Sequence, residues 1–166
     1  MIDPVTGWVE VVEVPNKCSF TVATLFKRTW LCRYPWPEDV ILDRGREFMG
    51  EIITMLRDDY GIKRKPITTR NPQANSMVER CHQTIGNLIR VQNLKDLPQD
   101  DPWSGLLNTV MFGIRATVHT TTQATPAQLV FHRDAMHNVR FEADWKYIKG
   151  NKQRRIQQNN VRENLT

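Results

Sequence analysis

Two acidic residues have a setting that suits metal-dependent phosphoryl chemistry. Asp43 follows the short apolar run Val40-Ile41-Leu42, which reads as a buried strand of the kind parallel sheets hold. It therefore sits at the carboxyl edge where α/β sheets place their sites. Glu79 follows with 35 residues between them, in the first turns of an expected helix and after a loop rich in Thr, Asn, Pro and Gln. Two carboxylates brought together can hold Mg²⁺ (or Mn²⁺), a hard cation that prefers oxygen ligands and keeps water positions open. A pair of such ions about 4 Å apart can activate a nucleophile and stabilise a leaving oxygen. The plainer alternative is that Asp43 caps a turn at Arg44-Gly45 and Glu79 is a solvated helix residue. Acid type and spacing alone favour that alternative.

Positioning these residues takes strands and helices in a definite order. Met1-Ile2-Asp3 reads as the end of a strand, Pro4 to Gly7 as a turn and the alternating Trp8 to Val14 as a second strand. Ser19 is a candidate cap for a helix reaching about Tyr34, with Val22, Leu25, Phe26 and Trp30 as its apolar stripe. A second helix is expected near Glu47 to Tyr60, with Phe48, Ile52, Ile53 and Leu56 on one side and Gly61 as its stop. Ile62 to Lys65 reads as a brief strand and Pro66 to Ser76 as a loop. From about Asn75 to Gln92 helical spacing returns. Val78, Cys81, Ile85 and Ile89 share one face there, and Glu79, His82, Gln83, Gly86 and Arg90 the other. Pro102 suits a helix start. The stripe Trp103, Leu106, Leu107, Val110, Met111, Ile114 and Val118 follows it. Trp30, Trp103, Met111 and Phe112 are expected in the core. A Thr-rich loop, His119 to Thr125, leads to a short helix at Pro126 to Phe131. Strands joined by helices indicate an α/β domain, in which the opening hairpin would put one antiparallel pair into a mixed sheet.

Composition bounds the function. A chain of 166 residues can hide roughly two-thirds of its unfolded surface, so a core needs no disulfide or structural metal. Hydrophobic residues at 40% and charged residues at 25% exclude disorder of the whole chain. No apolar run approaches the ~20 residues of a membrane span, and no charged-then-apolar leader opens the sequence. Lys and Arg number 23 against 18 acids, a net +5 that leans toward a polyanionic partner. Lys63, Arg64, Lys65 and Arg70 flank the loop before Glu79, where clustered charge suits neutralisation of a DNA backbone. From Glu142 onward Lys, Arg, Gln and Asn dominate, so residues 1–141 read as the main domain and 142–166 as a basic tail, either a helix that needs a partner or a partly disordered segment. Cys18, Cys32 and Cys81 lack the spacing of a zinc site or a disulfide framework and are expected to be reduced, buried thiols.

Longer words sharpen the reading. They are Asp43-Arg44-Gly45-Arg46-Glu47-Phe48, the stretch Asn71 to Gln83 with Asn71-Pro72-Gln73-Ala74-Asn75 and Val78-Glu79-Arg80 inside it, Asp3 to Glu10, and Thr125-Pro126-Ala127-Gln128-Leu129. In this order they resemble the integrase core of gypsy-type LTR retrotransposons, over nearly the whole chain. The resemblance implies a ribonuclease H-like fold, a mixed sheet flanked by helices. It implies metal-dependent processing of DNA 3′-ends and their joining to target DNA, as part of a retrotransposon polyprotein. A homo-oligomer of the full-length protein, action in the nucleus and no membrane association are further implications.

Residue by residue, Asp43 matches the second of the family's three carboxylates and Glu79 the third. The Thr6-Gly7-Trp8-Val9-Glu10 stretch matches the turn and strand after the family's opening strand. The first catalytic Asp is therefore expected roughly a dozen residues upstream of Asp3. Asp3 itself reads as a turn residue. On this reading the chain lacks the family's first strand and first metal ligand, and is inactive or very weak alone. The family's N-terminal zinc module is not expected here, because all four histidines lie at or after His82. Asn71, Gln73 and Asn75 match the loop that lies against the DNA end in the family. Ser76 stands where glycine is usual. His82 could contact DNA, support Glu79 or be a surface histidine, and Arg80 and Arg90 could touch phosphate or be solvated. The tail from Lys152 to Leu165 resembles the linker toward a C-terminal domain. The rival readings are a non-catalytic DNA-binding or interaction remnant, and a transposase of the same superfamily.

Overall fold

The computed structural model describes residues 1–43, 45–48, 50–66, 73–91 and 102–163. The chain forms two compact units, one of Met1 and residues 10–107 and one of residues 2–9 and 108–166.

In the first unit, helix α1 (Ser19–Phe26) continues through a π-helical turn, Lys27–Leu31. Cys18 takes the N-cap position and Ser19 is the first helical residue, so the helix begins one residue earlier than expected. Strand β1 (Asp39–Leu42) follows, then a 3₁₀ turn at Arg46–Phe48. Helix α2 (Glu51–Thr54) runs into a second π-helical turn, Met55–Asp59. The regular helix thus starts later than the expected Glu47. Gly50, with φ of +84°, separates it from the 3₁₀ turn. Gly61 ends the segment with φ of +64°, and the Ile62 N–H returns to the Leu56 carbonyl at 2.7 Å.

Strand β2 (Lys63–Pro66) pairs parallel to β1, with Asp39 opposite Lys63 and Leu42 opposite Pro66. The crossover through α2 is what a parallel pair requires. Alternation gives the pair two unlike faces. Leu42 is buried, whereas Ile41 is 48% exposed, so the run Val40-Ile41-Leu42 is covered on one side rather than on both. Val22, Ala23, Leu31, Leu42, Ile52, Leu56 and Ile62 form the core, with Phe26, Trp30, Val40, Phe48 and Tyr60 packed against it. Fully burying a side chain such as Ile52 or Leu56 stabilises the fold by about 1.5–3 kcal/mol. Helix α3 (Gln73–Val91) belongs to the same unit, and α4 (Pro102–Ala116) carries the chain from this unit into the second.

The second unit holds helices α5 (Pro126–Phe131) and α6 (Trp145–Glu163). Ala124, Leu129 and Ile148 form its small core, with Phe141, Ala143 and Trp145 against it. The turn at its start is made by Asp3, whose carboxylate accepts the N–H groups of Val5 and Thr6 at 3.0 and 3.1 Å. Lys152 of α6 donates to the carbonyls of Pro4 and Val5 in that turn. Burial pushes the Lys152 ammonium below its ordinary pKa, and the Asp3 charge opposes that shift.

Three expectations need correction. The strand expected over Trp8–Val14 is reduced to an Ile2–Val9 bridge and its flanking hydrogen bonds, and the sheet among the described residues is the parallel pair alone. A strand is defined by its ladder, and no ladder forms along residues 10–14. Trp103 and Phe112, expected in the core, are 46% and 53% exposed, whereas Leu106, Val110 and Met111 are buried. The apolar stripe of α4 is wider than the arc that is covered. Cys18 and Cys32 are exposed rather than buried, and only Cys81 is half-buried. Among the described residues, no helix is long and apolar enough to cross a membrane.

Candidate active site

Asp43 follows the last residue of β1, at the carboxyl end of a parallel strand, and its side chain is exposed. The Gly45 N–H donates to Asp43 Oδ1 at 2.8 Å, so the carboxylate does cap the turn that follows. That bond engages one oxygen. Oδ2 has no protein partner among the described residues. The turn role and a ligand role are therefore compatible, one on each oxygen.

Glu79 lies in the second turn of α3, also exposed, and His82 is exposed three residues later along the same helix. Opposite them, Val78, Cys81, Ile85 and Ile89 are half-buried, as helical spacing predicts. Burial pushes the Cys81 thiol above its ordinary pKa, which makes it a poor nucleophile. Gln73 and Asn75 fall within the first turn of α3, not in a preceding loop. Arg70 and Asn71 lie outside the described residues.

Lys63 and Lys65 stand on β2 and are exposed. Lys65 Nζ pairs with Asp39 Oδ2 at 2.5 Å across the β1–β2 pair. Such an exposed pair contributes about 0–1 kcal/mol, so a phosphate can displace the Asp39 carboxylate. Arg64, between the two lysines, is half-buried. All the described candidates belong to the first unit.

The donor set suits a hard cation. Mg²⁺ keeps several waters and is commonly held by one or two carboxylates, which is what Asp43 and Glu79 offer. Among the described residues no group of three or more His, Cys, Asp or Glu side chains converges as a metal cluster. Glu47 is a nearby carboxylate that spacing did not single out; its Oε2 and Asp43 Oδ1 would lie 2.9 and 3.0 Å from a Cβ placed on Gly45.

The fold is shared with solved structures. The structure superposes on the human T-lymphotropic virus 2 integrase catalytic core domain in complex with magnesium (trimeric form), with TM-score 0.58 and 21% identity, over 76% of this chain and 79% of that one. It also matches the catalytic core of bovine immunodeficiency virus integrase, with TM-score 0.63 and 19% identity, over 78% and 82% of the two chains. A third match is to an intasome of simian T-cell lymphotropic virus in complex with a PP2A regulatory subunit, with TM-score 0.65, 20% identity and coverage of 87% and 50%. The chain thus has the α/β fold of retroviral integrase catalytic cores. No protein-family model matches it.

Sequence relatives narrow the class. The chain is 28% identical over 133 residues to the retrovirus-related Pol polyprotein of transposon 412 from Drosophila melanogaster, which covers 80% of this chain and 10% of that protein. It is 28% identical over 116 residues to the Gag-Pol polyprotein of woolly monkey sarcoma virus, covering 70% and 7%. The chain is thus similar in sequence to Pol polyproteins of retroviruses and of a transposon, and it spans about a tenth of the length of those relatives.

Proposed function

We propose that the chain is the catalytic-core segment of a retrotransposon integrase and acts in DNA integration by metal-dependent polynucleotidyl transfer. The observation that carries this is Asp43. It is exposed at the carboxyl end of a parallel strand, with one oxygen engaged by the turn and the other available. Glu79, exposed on α3 of the same unit, supplies the second carboxylate. Bound Mg²⁺ supplies charge neutralisation at the phosphoryl group and a lowered pKa for coordinated water. The chain's own groups do the rest. Asp43 and Glu79 would hold the ion. Lys63 and Lys65, with Arg70, neutralise the DNA backbone, and Asn71, Gln73, Asn75 and His82 orient the DNA end. In the first step a water oxygen bonds to phosphorus and the bond to the DNA 3′-oxygen breaks, freeing a 3′-hydroxyl. In the second, that hydroxyl attacks a phosphodiester of target DNA, forming one bond as another breaks.

The fold likeness and the order of the sequence words support this reading. One structural neighbour is a complex with magnesium, which supports the choice of metal. That neighbour is trimeric and another is an intasome, which supports oligomeric action on DNA. Nuclear action follows from the same reading. The test is strand transfer by the integrase of the parent polyprotein, with Mg²⁺ and oligonucleotides copying the element's ends. Asp43→Asn and Glu79→Gln are each expected to lower the rate by about 10²–10³-fold or more, the scale of losing charge stabilisation at a reacting centre. Full activity in Asp43→Asn would leave only its turn-capping role. DNA binding that survives chelation, with no cleavage by the parent protein, would favour a non-catalytic binding segment.

A further inference from the structure

We infer that Gly45 is a positioning residue for Asp43, holding its carboxylate ready for the cation; the inference rests on the function proposed above. Positive φ angles among the glycines occur at Gly7, Gly50 and Gly61, and Gly45 is not one of them. Its backbone is therefore open to any residue, and conformational freedom does not explain the glycine. Space does. A Cβ at position 45 would lie 2.9 Å from Cδ and Oε2 of Glu47 and 3.0 Å from Asp43 Oδ1. The Gly45 N–H donates to that same Oδ1 at 2.8 Å. The carboxylate thus rests on a backbone donor with room for a hydrogen atom beside it and nothing larger. One oxygen is tied and Oδ2 has no protein partner among the described residues.

The two close approaches differ in consequence. Glu47 Oε2 is the end of a flexible side chain and turns aside at little cost. Asp43 has a short side chain tied at Oδ1, so it must give by a few tenths of an ångström. A methyl group at position 45 therefore acts chiefly through Asp43. Disturbing a group that orients a metal ligand typically weakens the metal by about 10–100-fold.

The probe is Mn²⁺ alone, titrated into the integrase of the parent polyprotein and followed by its electron paramagnetic resonance signal. Gly45→Ala is expected to weaken Mn²⁺ binding about tenfold with no change in thermal midpoint, and Asp43→Asn to weaken it at least as much. Gly45→Ala combined with Glu47→Ala removes the tighter contact and keeps the one to Asp43, so it is expected to stay weakened. Parental affinity in Gly45→Ala, with binding lost in Asp43→Asn, overturns the positioning role and leaves the proposed function standing. Recovery in the double variant assigns the effect to Glu47 and also overturns it. Mn²⁺ bound equally by the parent and Asp43→Asn, or by neither, defeats the metal reading and the positioning role with it.

Discussion

Glu10 is 3% exposed, and a carboxyl group tolerates such burial only where protein hydrogen bonds replace those of water. Tyr34 Oη donates to its Oε1, and an Arg33 guanidinium nitrogen stands 4.0 Å from its Oε2. Tyr34→Phe removes a hydrogen bond to a buried carboxyl oxygen and is expected to lower stability by about 1–3 kcal/mol, read as a drop in the urea midpoint. An unchanged midpoint would mean that Tyr34 does not hold this carboxylate. Asp3 makes an instructive contrast. Its partners lie two and three residues away, and the Asp-Pro pair already marked it as a turn residue. Alternation along Trp8–Val14 placed Glu10 on a strand but carried no sign of its burial, because the hydroxyl that satisfies it is 24 residues distant.

Among the elements, α5 is the one most completely written in its own residues. Thr125 Oγ1 accepts the Gln128 N–H at 3.1 Å, and Gln128 Oε1 accepts the Thr125 N–H at 2.9 Å. The reciprocal pair is a capping box, with Pro126 at the first helical position where its missing N–H costs nothing. Gln128 Nε2 also donates to Asp134, whose carboxylate is held below the usual range by the Met136 and His137 N–H groups it accepts. Part of the Thr125-Pro126-Ala127-Gln128-Leu129 word that resembles the integrase family is thus explained by folding alone. Thr125→Ala is expected to cost about 1 kcal/mol, measured by thermal denaturation, and a neutral result would remove the cap from the account of this segment. Helix α4 shows the opposite balance. Its periodicity was legible, yet Trp103 and Phe112 ended outside the buried arc that holds Leu106, Val110 and Met111.

At the scale of the whole molecule, the net charge of +5 matters through where its cations stand and what already occupies them. Lys63 and Lys65 are both exposed on β2, but Lys65 is shared with Asp39. Each lysine that neutralises a DNA phosphate contributes about 0.9 to the logarithmic salt dependence of binding. Lys63→Ala is therefore expected to lower that slope by about one and Lys65→Ala by less, measured by titrating DNA at several salt concentrations. Equal effects would show that the Asp39 pair opens freely, and no effect from either would take β2 out of the DNA face.

The sequence by itself determined what depends on neighbours within about a turn: the helical stretches, the stop at Gly61, the Asp3 turn, the cap of α5 and the place of Asp43 after a short strand. These rest on bonds or steric limits that span few residues, so residue type and spacing suffice to express them. Only the tertiary structure decided the burial of Glu10, which arc of α4 is covered, the capture of Lys65 by Asp39 26 residues away, and the register of β1 on β2. Each of those is a choice of distant partner, and periodicity states that a face is apolar or charged without naming what it will meet.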